Sequence, residues 1–188
     1  RMELLRVLHC EQPSRILEVG SNAGHSSLLY LTMLPNVHVH SVDICYHKYT
    51  RANLKMLVDA FPDRYKFECG SSHKKLLTMK KQNVGKYDLV MVDGDHSLKG
   101  AYNDILHTCH FTNDRTLLVM DDCELKCDPH TSKVPCQTPT KSFKRAVKGG
   151  LVEALNESKS MLDPESQNCY ARYKSKCQGG KRINATNA

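Results

Sequence analysis

At 188 residues, 40% of them hydrophobic, the chain has the length of one domain and enough apolar material for a sizeable core. Its longest apolar stretch, Leu28 to Leu34, is broken by Tyr30 and Thr32 and is far too short to cross a bilayer. The net charge of +7 is concentrated late: residues 1–122 carry 15 Lys and Arg against 14 Asp and Glu, and residues 123–188 carry 12 against 6. A basic tail aids solubility or attracts anions, but no Arg-rich or aromatic-rich pattern accompanies it, which argues against nucleic acid as a partner.

Met2 to Cys10 carries Leu4, Leu5, Val7 and Leu8 at helical spacing, and Gln12-Pro13-Ser14 ends that helix. The run Arg15 to Val19 predicts a buried strand. It breaks into Gly20-Ser-Asn-Ala-Gly24, where two glycines permit positive φ and close approach of a ligand. The amides of Ala23 to Ser26 then open a helix and can face polar ligand groups. That helix runs from Ser26 to Leu34 and stops at Pro35-Asn36. A second strand, Val37 to Asp43, ends in an acid about twenty residues past the turn, where nucleotide-binding α/β folds place a carboxylate for the ribose hydroxyls. Helix Thr50 to Phe61, strand Tyr65 to Cys69, the turn Gly70-Ser71-Ser72 and helix His73 to Lys80 follow.

Tyr87-Asp-Leu-Val-Met-Val-Asp-Gly-Asp-His96 predicts a central strand ending in Asp93, Asp95 and His96. After a helix over Leu98 to Cys109, Thr116 to Met120 predicts its neighbour, ending in Asp121 and Asp122. Parallel neighbours bring Asp93, Asp121 and Asp122 together, and three crowded carboxylates call for a cation. Oxygen ligands favour Mg²⁺, with Mn²⁺ or Ca²⁺ as alternatives. Past a polar loop from Glu124 to Thr140, helix Thr140 to Lys148 leads to an antiparallel pair, Leu151 to Leu155 with Cys169 to Tyr173. Residues 1–178 read as one domain and 179–188 as a disordered tail.

Glu18-Val-Gly-Ser-Asn-Ala-Gly-His-Ser-Ser27 resembles the first motif of class I S-adenosylmethionine-dependent methyltransferases, of the metal-dependent O-methyltransferase kind that includes catechol and sugar O-methyltransferases and methyltransferase family 24. The nicotinamide fingerprint fits worse, because Asn22 holds its middle glycine position. The resemblance spans Arg15 to Lys176. It implies a Rossmann-like three-layer α/β sandwich whose mostly parallel seven-stranded sheet has an antiparallel last strand. It implies a cofactor site at Glu18, Gly20, Ser21, Asn22, Gly24, Ser26, Asp43, Ile44, Gly70, Ser71, Ser72 and Asp93, and a metal at Asp93, Asp121 and Asp122. Catechol-type enzymes carry a lysine base three residues after the first acid. Here that position is His96, as in the sugar O-methyltransferase branch, and an imidazole suits proton removal near neutral pH. The expected reaction is O-methylation of a small-molecule or sugar hydroxyl.

Nine cysteines, five of them in the last third, and the sequons Asn156-Glu-Ser and Asn184-Ala-Thr point to a disulfide-bonded glycoprotein of the secretory pathway, with a cytoplasmic location as the alternative. Cys10, Cys45, Cys69 and Cys109 lie in the core-like part, where a free thiol behaves as a small hydrophobe. Cys123, Cys127, His130 and Cys136 could make a zinc site, though no Cys-x-x-Cys is present. The chain opens at Arg1 rather than Met, so a signal peptide or N-terminal cap is expected to precede it. A non-catalytic interaction protein on the same fold and an RNA methyltransferase using the basic tail are the rival readings. Homo-oligomerisation and the acceptor are not readable from the sequence.

Overall fold

The computed structural model describes residues 2–123, 138–155 and 168–174, and the apolar runs in them become one seven-stranded sheet ordered β3-β2-β1-β4-β5-β7-β6. The strands are β1 (Arg15–Val19), β2 (His38–Asp43), β3 (Tyr65–Cys69), β4 (Leu89–Val92), β5 (Leu117–Met120), β6 (Val152–Ala154) and β7 (Cys169–Tyr173). The first five pair in parallel, and β7 runs antiparallel to both β5 and β6. The expected methyltransferase-type sandwich is therefore the observed one. Strand order reverses between β1 and β4, which leaves a crevice at their carboxyl ends, where open α/β sheets bind ligands.

Both faces are covered. Strand residues alternate: Leu17, Val90 and Leu118 face one core and Ile16, Leu89 and Leu117 the other. The first core is closed by α4 (Ser72–Lys81), α5 (Leu98–Thr108) and α6 (Thr138–Lys148), through Met79, Ile105 and Phe143. The second is closed by α1 (Met2–Glu11), α2 (His25–Met33) and α3 (Thr50–Ala60), through Leu8, Leu31 and Leu54. Ile16, Leu89, Val90 and Leu118 are 0% exposed. Each such side chain contributes roughly 1.5–3 kcal/mol, so the strand ends that carry functional residues stand on a rigid floor. No helix among the described residues is long and apolar enough to cross a membrane.

The cysteines correct the expectation of free, core-filling thiols. Cys45 is bonded to Cys69 and Cys123 to Cys169, Cys109 is disulfide-bonded as well, and Cys10 is free but exposed. Register explains both described bonds. Asp43 pairs with Cys69 across β2 and β3, so the loop turning at Cys45 comes back over Cys69, and Met120 pairs with Cys169 just before Cys123. A cysteine in a disulfide offers no thiolate, so Cys123 is not a zinc ligand. Cys127, His130, Cys136, both sequons, most of the polar loop and the tail lie outside the described residues.

Candidate active site

Glu18 is fully buried and accepts hydrogen bonds from four serine hydroxyls: Ser21 and Ser41, both at 2.8 Å, and Ser26 and Ser27. One carboxylate thereby joins the glycine turn, the first turn of α2 and β2. It supports the turn from beneath and is not among the residues lining the crevice. Gly20 (φ +90°) and Gly24 (φ +81°) both adopt the left-handed conformations that favour glycine. Gly20 sits directly against the Asp93 backbone, whereas Gly24 abuts the Leu54 and Leu57 side chains of α3.

The crevice at the carboxyl ends of β1, β2 and β4 is a cavity of about 590 Å³, within the ~300–1,000 Å³ usual for small-molecule sites. Seven expected cofactor residues line it: Gly20, Asn22, Asp43, Ile44, Ser71, Ser72 and Asp93. Glu18, Ser21, Gly24, Ser26 and Gly70 stand behind or beside that wall rather than in it. Tyr46 and His47 also line the cavity and were missed by sequence reasoning. The signal was available: Tyr46-His47-Lys48-Tyr49 is an aromatic-rich loop immediately after the acid of β2, and His47 stacks on Tyr49 at 5.1 Å between ring centroids. The Cys45–Cys69 disulfide ties this loop to the Gly70-Ser71-Ser72 turn, joining two walls of the cavity covalently.

Asp43 is already heavily used. Its Oδ2 accepts from the amides of Ser21 (2.9 Å) and Asn22 (2.8 Å), and its Oδ1 from the amide of Cys45 (2.6 Å). Three of the roughly four acceptor positions of a carboxylate are thus filled, and the acid shapes the glycine turn as well as facing the cavity.

At the β4 and β5 end, one ligand atom each from Asp93, His96 and Asp122 lie within 4.8 Å of one another. His96 bridges the two acids, with Nε2 3.2 Å from Asp93 Oδ1 and Nδ1 3.5 Å from Asp122 Oδ2. Burial pushes Asp93 up to about 6 against the pull of its His96 hydrogen bond, and the Asp93 hydrogen bond in turn raises His96. Asp121, expected as a third carboxylate of the cluster, is not brought into it. Asp122, where the backbone turns to φ +52°, is the one whose carboxylate meets His96. Burial also raises Asp121.

Asp104 on α5 lies behind the cavity wall. It is 2% exposed, its Oδ1 accepts from the hydroxyl of the cavity residue Ser72 at 2.6 Å, and its Oδ2 has no partner. Burial raises its pKa from the usual 3.8 to about 6. The folded protein therefore binds a proton between about pH 4 and 6 that the unfolded chain releases, so this group's contribution to stability is present below pH 4 and lost as pH rises through 6. Asp104→Asn is expected to remove that loss, worth at most about 3 kcal/mol. Urea unfolding of the variant and the wild type at pH 4 and pH 7 checks it: the variant gains on the wild type only at the higher pH.

A family model described as a methyltransferase domain matches residues 17–123. No curated protein shows significant sequence similarity to the chain. Among solved structures, the fold is similar to the O-methyltransferase from Bacillus cereus in complex with SAH, at TM-score 0.68 and 16% identity, covering 91% of this chain and 79% of that one. It is similar also to the O-methyltransferase TomG from Streptomyces achromogenes, involved in tomaymycin synthesis and in complex with SAM, at TM-score 0.68 and 17% identity, covering 92% and 78%. A third is the SAH-bound Podospora anserina methyltransferase PaMTH1, at TM-score 0.67 and 17% identity, covering 91% and 76%.

Proposed function

The chain belongs to the methyltransferase-domain family, and from that premise we propose that it transfers the methyl group of S-adenosylmethionine to a hydroxyl of a small molecule or sugar, with a divalent cation at the acceptor end. The observation that carries the reading is continuity: Asp93 and His96 belong both to the cavity wall and to the cluster with Asp122. A ligand filling the cavity from Ser72 and Asp43 would present its far end to that cluster. The cavity's carboxylates, Asp43, Asp93 and Asp95, also suit a cationic sulfonium.

The residues fit a metal. Two carboxylates and an imidazole converge in a half-buried setting, and carboxylates held this close repel without a cation. Asp93 and Asp122 offer oxygen ligands, which suit Mg²⁺ or Mn²⁺, and His96 stands between them as the base rather than as a ligand. Such a cation, when bound, lowers the pKa of an acceptor hydroxyl and offsets the carboxylate charge that raises His96. The chain's own residues do the rest. Asn22, Asp43, Ser71 and Ser72 hold the adenosine end. The glycine turn, fixed by Glu18, lets the cofactor lie close to the backbone. His96 takes the proton of the hydroxyl whose oxygen forms the new bond to carbon, while the electrons of the broken bond to carbon stay on sulfur. Alignment of the reacting atoms is the protein's main contribution to the rate.

Titration calorimetry tests this with S-adenosylmethionine and, separately, Mn²⁺ and Mg²⁺, on the wild type and Asp122→Ala. Asp122 is outside the cavity wall, so the variant is expected to bind the cofactor as the wild type does and to lose the metal. Folded wild-type protein that binds no cofactor would sink the proposal and return the chain to the interaction-protein reading.

A further inference from the structure

At the opposite edge of the sheet lies a second cavity, of about 430 Å³, which the methyltransferase reading does not use. The parallel register builds it. Arg15 pairs with His38 at the start of β1 and β2, and His40 pairs with Lys66 at the start of β3. The turn before β3 adds Asp63 and Arg64. Its wall thus holds three permanent cations, Arg15, Arg64 and Lys66, against one acid, Asp63. We infer that this basic cleft is a second binding site, for a small ligand bearing a tetrahedral oxyanion such as a phosphate or sulfate ester.

Both guanidinium groups are held in place before any ligand arrives. Arg15 lies over the Tyr87 ring at 4.7 Å and donates to the Val84 carbonyl at 2.8 Å. Arg64 lies over Phe61 at 4.9 Å and donates through one nitrogen to the carbonyls of Leu31 and Leu34, both at 3.1 Å. Each arginine carries five N–H donors, so these contacts fix the planes without exhausting them. Pre-ordered donors lose less entropy on binding. Capping the end of α2 accounts for Arg64 alone. It does not account for Lys66, which is exposed on β3 and forms no salt bridge among the described residues. Three cations in one concavity repel, and an oxyanion with two negative charges removes that repulsion.

His40 reports on the same field. It is buried, shares a 2.9 Å hydrogen bond with the Tyr87 hydroxyl, and is held down to about 4 by burial first and the Lys66 charge second, against the pull of Glu68. It is neutral at pH 7 and does not itself supply charge to the cleft. The site is independent of the methyltransferase proposal, since the two cavities share no lining residue.

The experiment is a titration at pH 7.5 followed by amide and imidazole NMR, using inorganic phosphate, inorganic sulfate, phenyl phosphate and phenyl sulfate, with chloride added to constant ionic strength. Saturable shifts confined to the residues around Arg15, His38 and Lys66 are expected, with Lys66→Gln and Lys66→Glu weakening binding at least about tenfold, as the loss of one charged contact predicts, and Lys66→Arg retaining it. The tighter of the two phenyl esters identifies the oxyanion. Lys66 is exposed, so circular dichroism and S-adenosylmethionine binding should be unchanged in all three variants. Shifts no larger than those from chloride, or Lys66→Glu binding as tightly as the wild type, would overturn the assignment.

Discussion

Replacing His96 by alanine is expected to lower turnover by about 10²–10⁴-fold, the usual worth of a positioned general base, while leaving affinity for S-adenosylmethionine essentially unchanged. His96 follows β4 and lies between Asp93 and Asp122, whereas Ser71 and Ser72 follow β3, three positions away in the sheet, so under the proposed function its ring belongs to the reacting end. Losing it removes the proton acceptor and takes away the ring whose contacts with Asp93 and Asp122 a metal must compete against. Metal affinity should therefore be retained or tightened. Single-turnover transfer of a labelled methyl group, with calorimetry of cofactor and Mn²⁺ on the same variant, separates the roles. A parallel collapse of metal affinity and turnover would make His96 a ligand and leave the base unassigned.

The ambiguity at His96 marks the limit of what the chain discloses by itself. β1 and β3 were legible to the residue, because a short aliphatic run between turn formers admits little else. The carboxyl-edge position of Asp43 and Asp93 followed from the same runs. Which lone pairs those acids have left did not, because that depends on amides such as Ser21 and Asn22 folding back over Asp43. Asp121 and Asp122 are adjacent in sequence and equivalent in composition. Which one meets His96 is settled in the turn after β5, where Asp122 takes a positive φ, and a non-glycine residue gives no advance notice of that. The Cys45–Cys69 bond and the basic cleft were hidden for one reason. Both are made by the register of parallel strands, which joins residues 24 apart in the disulfide and brings β1, β2 and β3 together at Arg15, His38 and Lys66. Periodicity reports the face a residue occupies, and register is a property of pairs.

Gly20→Ala is expected to cost roughly 2–6 kcal/mol and to abolish cofactor binding in whatever folded protein remains, as the sum of a steric and a conformational penalty of about 1–3 kcal/mol each. A Cβ at this position would stand 2.0 Å from the Asp93 carbonyl oxygen and 2.8 Å from the Gly94 nitrogen, and φ there is +90°. Those neighbours are backbone and cannot rotate away. They are also pinned, because the amide of Asp93 donates to Val19 at 2.8 Å and the amide of Gly20 donates to Val42 at 2.9 Å. Relief can come only by parting β1 from β4, which moves Asp93 away from the glycine turn and Asp43 and opens the cavity along its floor. Gly24→Ala supplies the control. Its Cβ would meet only the ends of Leu57 and Leu54, at 2.9 and 3.1 Å, which can turn, so mainly the strain at φ +81° remains. Urea unfolding should therefore rank wild type, Gly24→Ala and Gly20→Ala in falling order, with cofactor binding lost only in the last. Equal costs for the two would mean that the turn is built for backbone conformation alone, and that close approach of β1 to β4 is not what Gly20 protects.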